Sequence, residues 1–352
     1  MELQRKFFLK INDCPRWITT GKACLLLGIF MTIFICNGQA QTQRGITGST
    51  AALFQSIRSG NAQALEKQLN AGASANDSLE GYSALMCAAL NGSAEQMKLL
   101  IDHGAAVNFQ ARDGVTALWL SIPDWEKTNL LLDHGADVNH TITGYTVLVK
   151  LAAIPGNIKL FRLLVDRGAD LKKSAPDNYL VYNAAASGDT AILGFLIRAG
   201  FSVNDSVAMG DYPINNAELY RTFATLKMLV DNGANVNVRQ WIADGLDAFK
   251  GCTPLMFAAV GHDKPSLLYL LDHGADPNAK NKQGYTSLML LAQSETDDPE
   301  MTLAMIQHGA DVSAKAQDGT NALYYARFKG KTASVAILEK YSNKYLRLIM
   351  IQ

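Results

Sequence analysis

Apolar residues in this chain recur in short runs with a phrase period rather than along one long stripe. Leu99-Leu100-Ile101-Asp102-His103-Gly104-Ala105-Ala106-Val107-Asn108 is one phrase, and Leu131-Leu132-Asp133-His134-Gly135-Ala136-Asp137-Val138-Asn139 is another. Each places aliphatics, then two polar residues, then glycine, alanine, an aliphatic and asparagine. The glycine falls at Gly72, Gly104, Gly135, Gly168, Gly200, Gly233, Gly274 and Gly309, with successive spacings of 32, 31, 33, 32, 33, 41 and 35. Ahead of each glycine lies an alanine-rich phrase such as Ala84-Leu85-Met86-Cys87-Ala88-Ala89 or Thr253-Pro254-Leu255-Met256-Phe257-Ala258-Ala259.

Such a period predicts two short helices per unit. The alanine-rich helix lets neighbours approach closely and ends at a turn glycine such as Gly92, Gly188 or Gly330. The second helix is amphipathic, and the recurring glycine stops it, because a left-handed backbone is cheap for a residue without Cβ. One pair cannot bury its apolar face alone, so the faces must be covered by stacking on neighbours.

The Thr253-Pro254-Leu255 opening, the Gly-Ala-Asp-Val-Asn phrase and the period resemble the ankyrin repeat, over about residues 51–341. The resemblance implies an all-α solenoid of stacked helix-turn-helix repeats joined by β-hairpin-like loops. About nine repeats are expected, the first starting near Ala51 and the last near Thr320. Residues 41–50 read as a flexible lead. Residues 342–352 read as a capping tail that extends the last helix over the final unit's open face.

The N-terminal segment follows a different pattern. Residues 1–22 are basic, Ala23–Cys36 is apolar, and Gly38 and Ala40 stand where a leader peptidase wants small residues. This reads as a secretory signal peptide cut after Ala40. The alternative is an uncleaved membrane anchor, although fourteen apolar-type residues fall short of the roughly 20 a span needs. Removing residues 1–40 leaves 27 of the 32 basic and 30 of the 32 acidic residues, a mildly acidic remainder. No stretch reads as a basic stripe, so nucleic acid is not an expected partner. An exported protein of the secreted or periplasmic bacterial type, monomeric and touching membrane only through an uncleaved leader, is the expectation.

Candidate chemistry is sparse. Gly330-Lys331-Thr332 lacks the earlier glycine of a phosphate loop, since Tyr325 stands there. His103, His134, His273 and His308 occupy the same place in different units. Stacked helices lie about 8–10 Å apart, too far for those histidines to share a zinc ion. Their expected role is at helix C-termini, where a donor is favoured. Cys87 and Cys252 are separated by five units and are not expected to bridge. Asn76, Asn91, Asn139 and Asn204 head Asn-x-Ser/Thr sequons, three of them within the repeat's own asparagine phrase. No catalytic signature, metal site or cofactor motif is found, and a non-enzymatic role is expected.

What remains is binding. The resemblance implies a partner on the first-helix face and the loop tips, where Cys87, Leu90, Leu120, Asn183, Tyr220, Phe257 and Val260 vary between copies. The spacing of 41 places about eight extra residues within 238–251, which carry Arg239, Trp241, Ile242 and Phe249. Aromatics and arginine are enriched in interface hot spots. The expected partner-binding residues are therefore Trp119, Tyr220, Arg239, Trp241, Ile242, Phe249 and Phe257. A protein scaffold is the leading function, and an exported effector or protective immunity-type protein is the alternative.

Overall fold

The structure is a computed structural model that describes residues 48–173, 178–207, 210–240 and 250–349, with side chains to residue 343. Among the described residues, eighteen helices occur in nine consecutive pairs. They are α1 (Gly48–Arg58), α2 (Ala62–Asn70), α3 (Ala84–Asn91), α4 (Ala94–Asp102), α5 (Ala117–Ser121), α6 (Trp125–Asp133), α7 (Val147–Ala152), α8 (Ile158–Asp166) and α9 (Tyr179–Ser187). Next come α10 (Thr190–Arg198), α11 (Pro213–Leu219), α12 (Phe223–Asp231), α13 (Pro254–Gly261), α14 (Lys264–Asp272), α15 (Ser287–Gln293), α16 (Pro299–Gln307), α17 (Ala322–Phe328) and α18 (Thr332–Ile349). Helix α1 starts at Gly48, three residues inside the expected lead, and α18 runs 18 residues where the other second helices run nine. Pro123 lies just past the end of α5 at Ser121, as its missing N–H and its ring require.

The chain divides into two compact units. The N-terminal unit holds described residues 48–151 and 157–173, and the C-terminal unit holds 152–156 and 178–349. First helices pack on one another and on their own partners: α3 on α1, α5 and α4 in the N-terminal unit, and α11 on α9, α13 and α12 and α15 on α13, α17 and α16 in the C-terminal unit. The core is therefore a run of interfaces between repeats. In the N-terminal unit it is filled by Phe54, Leu85, Met86, Met97, Leu100, Leu131 and Phe161, and in the C-terminal unit by Leu180, Leu196, Leu229, Leu255, Met256 and Met305.

The anchor glycines act through backbone conformation. All eight have φ between 79° and 94°, and a Cβ added to any of them would meet nothing within 4 Å. The turn therefore demands a left-handed residue rather than space. Just before that glycine, His103, His134, His273 and His308 each place Nδ1 at 2.7–2.8 Å from the carbonyl four residues back, as expected of a donor at a helix C-terminus.

The asparagine of each phrase joins one loop to the next. Its Nδ2 donates to the following anchor glycine's carbonyl, and its Oδ1 accepts from the N–H two residues past that glycine. Asn76, Asn108 and Asn139 do this in the N-terminal unit, and Asn204, Asn237 and Asn278 in the C-terminal unit, at 2.7–3.0 Å. The asparagines of three sequons are thus occupied by repeat-to-repeat bonds. The boundary between the units falls beside one of two copies, Lys172 and Ser313, that lack the asparagine.

The expected hairpin-like loops are present. Strand β1 (Ser78–Leu79) pairs antiparallel with β2 (Tyr82–Ser83), and Ile142 bridges Tyr145. Elsewhere one backbone bond closes the turn: Ala111 N to Val115 O, Val207 N to Asp211 O, Asn281 N to Tyr285 O and Ala316 N to Thr320 O, at 2.9–3.0 Å. At the inserted loop the same closure is Gln240 N to Cys252 O at 2.9 Å, spanning twelve positions where the others span four. The insertion thus lies inside an ordinary loop and leaves its base unchanged.

Candidate partner-binding surface

The first helices start at small polar caps. Ser83, Thr116, Thr286 and Asn321 each accept the N–H of the third residue beyond them. That third residue points into the stack in Met86, Trp119, Val149, Val181, Met256 and Met289, which are all buried, whereas Tyr324 after Asn321 is exposed. The next residue is also buried in Cys87, Leu120 and Phe257. What faces solvent is the far edge, where Leu90, Asn183, Tyr220 and Val260 are half-buried.

This register sorts the expected binding residues. Trp119 is 5% exposed and Phe257 is 7% exposed, so both are packing residues. Phe257 joins a cluster with Cys252, Met256, Ala279 and Leu290. Trp119 lies under the ammonium of Lys150, 5.3 Å from its ring centroid, and its carbonyl accepts from Lys150 Nζ at 2.5 Å. That carbonyl's usual helical donor would be residue 123, a proline without an N–H, so the lysine replaces the missing donor. Burial pushes Lys150 down to about 8. Neither aromatic is therefore on the binding surface expected from the sequence: short apolar helices give no face periodicity, and stacking buries the third and fourth positions in these two copies. Tyr220 remains half-buried and Arg239 exposed. Trp241, Ile242 and Phe249 lie outside the described residues.

The polar copy, α11, is buried rather than displayed. Asn215, Asn216 and Glu218 are 1%, 1% and 3% exposed. Asn216 Nδ2 donates to the Tyr182 carbonyl at 2.8 Å. Asp211 accepts from Tyr182 Oη, Tyr212 N, Asn215 Nδ2 and Gln240 Nε2 at 2.7–3.2 Å. Burial raises its carboxyl against the pull of these four donors. Glu218 stands where other copies have buried Ala89, Ala152, Ala184, Ala259 and Ala292. Burial, reinforced by the Asp263 charge, pushes Glu218 up to about 8, so it holds a proton at neutral pH. Farther along, Lys331 Nζ caps the end of α15 through the Leu291 carbonyl at 2.7 Å and Ser294 Oγ at 2.8 Å, and burial lowers it to about 8.

Three large apolar side chains stand out by exposure among the described residues: Trp125 at 50%, Tyr324 at 53% and Phe328 at 59%. Tyr324 holds the register of buried Met256 and Met289, and its ring stacks parallel to Phe328 at 6.4 Å. The sequence signal was available, because Tyr324 and Phe328 lie four apart on one helix face.

A family model described as ankyrin repeats matches residues 53–142 and 180–281, more than half of the chain. The chain belongs to the ankyrin-repeat family. Ankyrin repeats serve as protein–protein interaction scaffolds and are typically non-catalytic. The chain is also 27% identical over 150 residues to the mitochondrial disaggregase of Bos taurus, covering 41% of this chain and 21% of that protein. It therefore spans about a fifth of that relative's length. Among the described residues no helix is long and apolar enough to cross a membrane, and no group of three or more His, Cys, Asp or Glu could hold a metal ion. Cys87 and Cys252 are buried; Asn281 Nδ2 donates to Cys252 Sγ at 3.8 Å, and burial pushes the Cys252 thiol up to about 12.

Proposed function

We propose that this ankyrin-repeat chain is an exported, non-catalytic scaffold that binds one protein partner along the solvent edge of its first helices and its loop tips. The supporting observation is the sorting of surface: stacking consumes Trp119 and Phe257, while Tyr220 and Arg239 keep accessible groups at the edge and on the loops. The inserted loop, with Trp241, Ile242 and Phe249, supplies the aromatic anchors, on a base held by Gln240 and Cys252. Export rests on the basic and apolar leader and on the small residues before Gln41.

Two measurements test this. N-terminal sequencing of protein recovered from its compartment should begin at Gln41; a chain retained at Met1 in the membrane fraction replaces cleavage with anchorage. Trp241→Ala combined with Phe249→Ala should weaken capture of the partner isolated with the wild-type chain, at an unchanged unfolding midpoint. Capture that survives the double substitution removes the inserted loop from the site.

A further inference from the structure

The loops of the last repeats carry a feature that the repeat pattern does not need. Two residues past the position of the phrase asparagine, the N-terminal unit has Ser78, Gln110 and Thr141, whereas three consecutive loops of the C-terminal unit have Arg239, Lys280 and, after Ser313 in place of the asparagine, Lys315. All three cations are exposed. The first two lean toward the next loop: Arg239 Nη1 donates to the Lys280 carbonyl, and Lys280 Nζ donates to the Lys315 carbonyl at 3.0 Å. The cations thus form a row with one charge per repeat, and Lys282 adds a further exposed charge beside it.

The ledge under the row is continuous. Lys282 N donates to the Lys250 carbonyl at 3.0 Å, Gln317 N to the Gln283 carbonyl at 3.2 Å, and Gln317 Nε2 to the Lys282 carbonyl at 2.8 Å. At Gly284 a Cβ would stand 2.9 Å from Gln317 N, so the backbones touch there. These hydrogen bonds hold the charges at the repeat spacing before any ligand arrives, which lowers the ordering cost of binding.

We propose that this row is a docking ledge for an extended acidic segment of a protein partner, with carboxylates three residues apart. The spacing argues for it. Stacked helices repeat at about 8–10 Å, and a polyproline-II segment advances about 9.3 Å in three residues with the same face outward. A carboxylate at every third position meets one cation per loop. The charge pattern argues against a uniform polyanion. Asp276 and Asp311 stand four residues before Lys280 and Lys315, tied to their own turns through the N–H groups of Asn278 and Ser313. A nucleic acid backbone needs a broad positive surface, and these carboxylates interrupt it. The inference rests on the scaffold reading and names the partner's chemistry.

The test uses the full chain and labelled twelve-residue peptides in fluorescence anisotropy. A repeating Glu-Pro-Pro peptide should bind, and a Gln-Pro-Pro peptide should bind at least tenfold more weakly. Raising salt from 50 to 300 mM should weaken the complex several-fold, because exposed pairs are screened. Lys280→Gln with Lys315→Gln should cost at least fivefold at an unchanged unfolding midpoint, and Lys67→Gln with Lys98→Gln, on second helices of the other unit, should cost nothing. Equal binding of both peptides, or no loss in the Lys280/Lys315 variant, overturns the ledge. Equal binding of a peptide with its glutamates adjacent overturns the three-residue spacing. Tighter binding of single-stranded RNA or phosphatidylserine vesicles through the same lysines overturns the assignment to a protein segment. If the native partner is lost on Trp241→Ala/Phe249→Ala but kept in the lysine variant, the scaffold reading stands and the ledge falls. If the peptide binds but no partner is ever captured, the scaffold reading fails on its own.

Discussion

The two compact units share one repeat and use it differently. In the N-terminal unit the third position of the first helices is apolar in Met86, Trp119 and Val149, and the loops are neutral at Ser78, Gln110 and Thr141. In the C-terminal unit α11 puts Asn215, Asn216 and Glu218 into the stack, and the later loops carry Arg239, Lys280 and Lys315. The same asparagine links and anchor glycines hold both. The repeat frame therefore tolerates a polar interface and a charged ridge, since each loop is secured by its own bonds to the next. Variation that would unfold a single-core protein becomes local when each repeat contacts only its neighbours.

The strongest break of this comparison is removal of a packing aromatic from each unit. Phe257→Ala should destabilise the C-terminal unit, and Trp119→Ala the N-terminal unit, by about 3–5 kcal/mol each. Urea unfolding with hydrogen exchange resolved by unit would show it. A loss under about 1 kcal/mol would return either residue to the surface.

Cutting one link tests the shared frame. Asn108→Ala and Asn278→Ala should each remove two exposed hydrogen bonds, a cost of about 1–3 kcal/mol at about 0.5–1.5 kcal/mol per bond. Faster exchange should appear at the Asp137 N–H in the first variant and the Asp311 N–H in the second, the groups these asparagines accept from. Equal costs would confirm that both units rest on the same frame.

The polar interface should show in pH dependence. Glu218 has a folded value of about 8 against an ordinary 4.5, so the folded chain binds the extra proton between those values. Stability contributed by the protonated form is full below about pH 4.5 and declines as pH rises to about 8. Glu218→Gln should flatten that decline and raise stability at pH 8 by about 1–3 kcal/mol. An unchanged slope would mean the carboxyl is solvated.

Lys331 gives the smallest effect and the opposite sign. Its folded value of about 8 lies below the ordinary 10.5, so its burial cost is full below pH 8 and is relieved as pH rises toward 10.5. Lys331→Met should abolish that rise and change stability at pH 7 by no more than about 1 kcal/mol, the lost bonds to Leu291 and Ser294 offsetting the relieved burial.

Much of this was legible before folding. The glycine period gave the helix pairs, because a left-handed stop and an amphipathic run leave an unmistakable spacing. The four histidines were placed correctly at helix ends for the same local reason. Trp119 and Phe257 were misplaced, since in helices of five to eight residues almost every position is apolar and only the neighbouring repeat decides which are covered. Tyr324 and Phe328 show the converse: the same register is core in one copy and surface in another.

The sequence by itself determined the family, the helix pairs, the anchor turns and the position of the insertion, because each depends on residues close together in the chain. The tertiary structure decided which aromatics are core, why Lys150 and Glu218 lie buried, and that cations 41 and 35 residues apart form one row. Along the repeats these cations are too far apart in the sequence to read as a basic stripe. Stacking makes the row, by setting one loop of each repeat beside the same loop of the next.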